Sequence, residues 1–358
     1  MSKGQRGFLI FVVALAFAAI FCAVVPLAIL PPTLGLGAAL PVIQLPGEVL
    51  VGTEEAPAIT NTMIGVLIAD ATVLLLAFFA TRRMKEVPGR LQSVFEMIAE
   101  ALYNLCKSVA GDRARQLFPL MATIFILVLA ANWWELFPGV DSVGIMHCAR
   151  PGQTGYPRQG VLLDVRAPLG ADGRVATEAD YHACEALLHP EEAEASAGGA
   201  EAAHAEAEGA PLYVVTPFVR AAATDLNFTL AIALIAMAAV QVFGFRSLGW
   251  SYFNKFFNFP ALGDLRKRPL GVIDFIVGLL ELISEFAKII SFAFRLFGNI
   301  FAGQILLFVV AFLFAWIVPV VAYGLELFVG LIQAFVFAML FLVFASIAMT
   351  GHGDHEEH

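Results

Sequence analysis

The sequence predicts an all-α polytopic membrane protein: about six transmembrane helices including two long tilted C-terminal ones, one interfacial amphipathic helix and a large external loop. Two observations carry that expectation. The 358 residues are 59% hydrophobic against 14% charged, with a mean hydropathy of +0.81, more apolar surface than a water-soluble domain can hide. Long uncharged stretches also alternate with short basic ones, as expected when lipid is the solvent. The formal charge of -9 gives no case for nucleic-acid binding. It is local in origin, because residues 139–220 hold twelve acids and five bases.

Six apolar stretches, near 8–30, 62–81, 117–138, 227–245, 271–312 and 319–349, are long enough to cross a hydrocarbon core of about 30 Å. The first follows Lys3 and Arg6 like a signal sequence, but its run exceeds the usual signal core of roughly 7–15 residues, so it reads as an uncleaved anchor. Segments 1–7, 82–115 and 245–268 carry 2, 7 and 5 basic residues, whereas 31–61 and 313–318 carry none. The basic side is the cytoplasmic one, which puts both termini inside and the acidic loop outside, as for a multi-pass bacterial-type inner-membrane protein. The chain then divides into an N-terminal anchor with an external segment (1–61), the first membrane helices (62–138), an acidic external insertion (139–220), channel-type helices (221–350) and a cytoplasmic tail (351–358).

Between Leu91 and Val109 the apolar positions keep helical spacing, with Gln92, Glu96, Glu100 and Asn104 on the other side, so this helix is expected to lie on the membrane. The last two segments, about 60 Å and 46 Å long as helices, exceed the bilayer and must tilt, break or protrude. No internal repeat relates the two halves.

Polar side chains inside these segments need a reason, since an Arg at a helix centre costs roughly 2.5–3.5 kcal/mol on insertion scales. Arg295 is the most demanding case. Its guanidinium does not deprotonate, so it acts as a fixed cation and requires an anion nearby. Ser291, Lys288, Glu281 and Asn299 fall near the same helical face and form a polar stripe running in from the cytoplasm. Gln304 points about 180° away and some 13 Å further along. Glu326 and Gln333 share a face of the last helix, so Gln304 and Glu326 are expected to meet across the hairpin. Two partial polar entrances separated by a permanent cation suggest ion transfer through a mobile carboxylate on another subunit, because a continuous pore would short-circuit.

The run RLFGNIFAG at 295–303, preceded by ELISEFAKIISFAF and followed by LIQAFVFAMLFLVFASIA at 331–348, strongly resembles subunit a of the F-type ATP synthase membrane sector. TNTMIGVLIAD at 60–70, RRMKEVPGRLQSVFEMIAE at 82–100, NWWELFPG and TPFVRAAATDLNFTLAIAL fit the same family in order. The resemblance implies a proton-conducting stator subunit with two offset half-channels to a rotating c ring. It makes Arg295 the essential stator arginine and Gln333 its partner amide, with Asn299 and Ser291 beside it. Glu281 and Lys288 become the cytoplasmic approach. Gln304 and Glu326 occupy places where the family commonly has an acid and a histidine, and Asp225 and Asn227 match polar positions of the outer channel. Implied partners are the c-subunit ring, b-type peripheral stalk subunits and, through the assembled complex, the F1 head, with the lipid bilayer around them.

No GxxxxGKS or GxxxxGKT phosphate loop is present, so ATP chemistry is expected on other subunits; the chain reads as a non-enzymatic ion pathway without cofactor. For Gln304 and Gln333, interhelical hydrogen bonding is the rival reading. For Glu281, Glu285 and Lys288, it is an interfacial charge. Cys148 and Cys184 lie in the external insertion and point first to a disulfide, with a metal site built with His147 and His182, or unpaired thiols, as alternatives. Cys22 and Cys106 read as small apolar residues. The stretch at 191–210 is low in complexity, and the tail HGDHEEH reads as a solvated terminus. A self-sufficient secondary transporter would show repeated halves, and a structural scaffold would leave the cost of Arg295 unexplained.

Overall fold

The computed structural model describes residues 47–52, 57–82, 84, 89–141, 143–157, 173–188, 211–250, 252, 271–313 and 318–350. The expected anchor at 8–30, Cys22, the low-complexity run at 191–210 and the terminal tail lie outside the described residues. Among the described residues five helical stretches are long and apolar enough to cross a membrane: Asn61–Thr81, Gln92–Trp134, Leu226–Leu248, Ile276–Val310 and Val318–Met349. The chain divides into two compact units. One comprises Met1–Ile64, Glu135–Arg220 and Ala302–Leu327, the other Gly65–Trp134, Ala221–Phe301 and Phe328–His358.

The second unit is helical. Helix α1 (Asn61–Thr81) enters it after its first turn and exposes Leu67, Leu74, Leu75, Phe78 and Phe79, a surface suited to lipid. Helix α2 (Arg90–Ala110) buries Leu102, Cys106 and Ala110 while leaving Val94, Met97 and Ile98 exposed beside Glu96 and Glu100. Its two-faced pattern is the one read from the sequence. It ends at Gly111, where φ is +56°, a backbone conformation that glycine tolerates without a Cβ penalty. A three-residue turn then leads into α3 (Ala114–Trp134).

Helix α5 (Leu226–Leu248) starts on Asp225, whose carboxylate accepts from the Asn227 backbone N–H at 2.9 Å, and stops at Gly249, where φ is +60°. Helices α6 (Gly271–Leu313) and α7 (Val318–Met349) are each continuous. At 43 and 32 residues they measure about 65 Å and 48 Å, so the excess over the bilayer is taken up by tilt or protrusion, without a break. The core of this unit gathers Leu117, Met121, Met237, Leu296, Phe341 and Leu342, all fully buried. Ala233, Ala236, Ala293, Ala334, Ala338 and Ala345 are buried too, and small residues let membrane helices approach closely. Asn132 donates its amide to the Gly330 carbonyl at 3.1 Å, tying α3 to α7.

The first unit adds short strands that the helical reading of the sequence did not include. Strands β1 (Val49–Gly52) and β2 (Pro57–Thr60) pair antiparallel. After β3 (Pro138–Asp141), β4 (Gly144–Cys148) pairs antiparallel with β7 (Tyr213–Pro217), from Gly144 opposite Pro217 to Cys148 opposite Tyr213. A Cβ on Gly144 would fall on the Thr216 carbonyl, so only glycine fits this close approach. Strands β5 (Thr154–Gly155) and β6 (Arg174–Val175) form a second small ladder. Helix α4 (Glu178–Leu188) opens on a reciprocal cap: the Thr177 backbone N–H donates to Asp180 at 2.9 Å and the Asp180 backbone N–H donates to the Thr177 hydroxyl at 3.3 Å.

The apolar centre of this insertion is small, made of Ala149, Ala176, Leu212 and Val214, and a disulfide reinforces it. Cys148 and Cys184 are joined across 36 residues, a loop closure worth about 4 kcal/mol on the chain-entropy account. Their thiols are therefore not free to serve as metal ligands with His147 and His182. Among the described residues no cluster of His, Cys, Asp or Glu is arranged to hold a metal ion.

Candidate functional site: a buried acid cluster and an exposed arginine

In the first unit, three carboxyl groups gather around one buried cation, and a fourth, Glu326, acts on one of them. Gln304 on α6 is buried and donates its side-chain amide to Asp141 at 2.7 Å. Asp141 closes β3 with φ at +58°, the one left-handed non-glycine residue among the described residues, and its backbone N–H donates to the Val219 carbonyl. That unusual backbone is held by the β4–β7 ladder beginning three residues later. Its second carboxylate oxygen is buried without a hydrogen-bond partner among the described residues.

Glu135, just past α3, is 7% exposed, and neither of its carboxylate oxygens has a hydrogen-bond partner among the described residues. The charges acting on it are Glu326, Asp141 and Arg220. Glu326 on α7 is buried against Gly303 of α6, where a Cβ would fall on its carboxylate. Glu48 accepts from the Asn61 side-chain amide at 3.1 Å and returns its backbone N–H to the Asn61 side-chain oxygen at 3.0 Å. Buried Arg220 acts on Glu48, Glu135 and Asp141 alike.

One guanidinium cannot neutralise several ionised carboxylates at low dielectric, so the protonated form is favoured at the acids outside the spanning helices. Burial pushes Asp141 up to about 6 and Glu48 adds to this, against the Gln304 hydrogen bond and Arg220, which pull it down. Burial likewise raises Glu48, opposed by Arg220 and Asn61. A raised carboxyl favours the protonated fold. For Asp141 that contribution is complete below its ordinary 3.8 and is lost as pH rises through about 6. Asp141→Asn is therefore expected to flatten the fall of thermal stability of the purified complex between pH 4 and 7. Parallel melting profiles for variant and wild type would remove Asp141 as the titrating group.

The second unit carries a different arrangement. Arg295 on α6 is exposed, and no carboxylate lies within ion-pair distance of it among the described residues. Its backbone, rather than its guanidinium, is what Gln333 holds: the buried Gln333 amide donates to the Arg295 carbonyl at 2.9 Å and accepts from the exposed Asn299 amide at 2.9 Å. Ser291 is exposed one turn before Arg295. Lys288 is drawn aside to Glu285 at 2.7 Å, and Gln241 donates to the other Glu285 oxygen at 3.1 Å. The Tyr252 hydroxyl donates to Gln241 at 2.6 Å. Burial together with Glu285 and Glu281 pushes that hydroxyl up to about 12, so it stays a donor. Glu281 is half-buried. Asp225 is buried as the cap of α5 and Asn227 is exposed.

Two differences from the sequence reading stand out. Gln304 bonds Asp141 and not Glu326, because Glu326 seats on the neighbouring Gly303, a position about 100° round the helix. The acids at 48, 135 and 141 and the cation at 220 were not singled out at all. Glu135 was visible as a lone acid closing an apolar run, but Glu48 and Asp141 sit in segments between the apolar runs, where acids are ordinary.

A family model described as ATP synthase A chain matches residues 63–346. Among curated relatives named ATP synthase subunit a, that of Mycobacterium ulcerans is 27% identical over 83% of this chain and 89% of its own length. The Helicobacter hepaticus protein is 26% identical over 81% and 89%. The Gloeobacter violaceus protein is 25% identical over 82% and 86%. The match runs through all five apolar helical stretches that carry these two arrangements, and the chain is accordingly a multi-pass membrane protein belonging to the ATP synthase A chain family.

Proposed function

We propose that this chain is the proton-conducting stator subunit of an F-type ATP synthase, with Arg295 as the fixed cation facing the rotating c ring. The observation that carries the reading is Arg295 itself: an arginine deep in an apolar helix, exposed on its own subunit, with no acid beside it among the described residues. Such a charge is too costly to leave against lipid, so a carboxylate from a foreign polypeptide must meet it. The Gln333 bond to the Arg295 carbonyl, with Asn299 beside it, holds that stretch of helix in register.

In this reading the cluster of Glu135, Asp141, Glu326, Gln304, Glu48 and Arg220 is the outer half-channel, where closely spaced carboxyls pass protons inward. Gln304 cannot titrate and instead orients Asp141. The inner half-channel uses Glu281, Ser291 and Asn299, with Lys288 fixed by Glu285 at its margin. Protons move with the membrane potential, which supplies about 2.3 kcal/mol per charge per 100 mV. The subunit sits in the bacterial-type inner membrane with both termini cytoplasmic. It binds no nucleotide and reaches the F1 head through the c ring and b-type stalk subunits.

Purification in mild detergent tests the reading: a c ring and a soluble ATPase head should come with the chain, whereas recovery as a lone transport-active protein would refute it. Gly303→Val is expected to displace the Glu326 carboxyl and slow passive proton conduction by roughly tenfold or more, read as acidification of vesicles stripped of the head. Unchanged conduction would take Glu326 out of the path.

A further inference from the structure

The second unit contains a cavity that the proton path does not use. It has a volume of about 380 Å³ and is lined by Arg113, Gln116, Phe243, Arg246, Ser247 and Met349. That size falls in the range of small-ligand pockets, roughly 300–1,000 Å³. Three helix ends build it. Arg113 and Gln116 come from the turn into α3 and its first turn, Phe243, Arg246 and Ser247 from the last turns of α5, and Met349 from the end of α7. The Ser247 hydroxyl donates to the Met349 carbonyl at 3.1 Å, which joins the ends of α5 and α7 and fixes one wall.

Among the described residues that line this cavity, the charge is all of one sign. Two guanidinium groups line it, and among the described residues neither makes an ion pair. Arg246 in the last turn of α5 has a helix-terminus role available to it, but Arg113, in a three-residue turn, has none. Two like charges facing one space repel unless an anion enters, and planar guanidinium forks match phosphate oxygens. The Gln116 amide offers a further donor, while Phe243 and Met349 give an apolar margin.

The depth of the cavity follows from its walls. The α5 end and the α7 end lie where apolar helical stretches finish, and Arg113 closes the three-residue turn between the two-faced helix α2 and α3. Basic pockets at that level, between membrane helices, are suited to phosphate-bearing headgroups.

We propose that this cavity binds a phosphate-bearing anion, held by Arg113 and Arg246, supplied by an anionic phospholipid headgroup or by free phosphate. The inference does not depend on Arg295 or on the acid cluster. A bound headgroup would pin the ends of α3, α5 and α7 to the bilayer surface.

Native mass spectrometry of the purified complex, delipidated and then offered phosphatidylglycerol or phosphatidylcholine, tests it. The wild type should retain phosphatidylglycerol over phosphatidylcholine, and the double variant Arg113→Gln/Arg246→Gln should lose that preference by at least tenfold. Arg113→Lys/Arg246→Lys, which keeps the charge, should recover part of it, separating lost binding from lost folding. Inorganic phosphate that binds the delipidated wild type but not the Gln variant, and displaces phosphatidylglycerol, would identify the free anion as the ligand. Equal retention of both lipids with no phosphate bound, or an unchanged preference in the Gln variant, would overturn the proposal.

Discussion

Arg295→Ala is expected to abolish ATP-driven proton pumping in inverted membrane vesicles while leaving the complex assembled. The separation of the two effects follows from geometry. The guanidinium is exposed and makes no ion pair among the described residues, whereas the contacts made at this position, to Gln333 and through it to Asn299, use the backbone carbonyl. Removing the side chain therefore leaves the packing of α6 against α7 in place. What disappears is an attraction to an approaching carboxylate worth about 4 kcal/mol at 4 Å and an effective dielectric of 20, a population factor of roughly a thousand. Arg295→Lys should rescue little, because a desolvated ammonium can lose its proton and has no planar fork. Pumping at the wild-type rate in the Ala variant, or loss of the subunit from the complex, would contradict this account.

The second large effect concerns the acid cluster. Glu135→Gln and Glu326→Gln are each expected to slow passive proton conduction through head-stripped vesicles by roughly 10–100-fold. Both side chains are buried, both leave a carboxylate oxygen without a hydrogen-bond partner among the described residues, and the Glu326 charge acts on Glu135. A buried acceptor left open is costly as a structural element and useful as a proton stop. Since the two share one cluster, the double variant should be much less impaired than the product of the single effects. Multiplicative losses would place them on separate paths, and wild-type rates in either single variant would exclude that residue.

How much of this is legible in the sequence depends on the interaction concerned. Arg295, Gln333 and Asn299 were legible because a charge and two amides inside apolar runs violate the rule of the lipid solvent; helical spacing aligns Asn299 with Arg295, while the pairing with Gln333 on the next helix came from the family resemblance. The Cys148–Cys184 pair could be favoured from the external setting but not separated from a metal site, since pairing depends on where β4 and α4 come to rest. The direct meeting of Gln304 with Glu326 was misjudged by one residue. Whether position 303 or 304 faces the neighbouring helix depends on packing, and the absent side chain of Gly303 decided it.

Glu48, Asp141 and Arg220 mark the other limit. Each sits between the apolar runs, where charge is unremarkable, and they converge only because β-ladders and the turn at Asp141 bring distant pieces of chain together. The solvent, the membrane helices and the misfit cation follow from the order of residues alone, because burial in lipid is written in composition and in a period of 3.6 residues. Which acids share one cation, which face of α6 Arg295 presents, and that two further arginines line one cavity follow from folding in three dimensions. Those are contacts between residues far apart in the chain, and no local pattern encodes them.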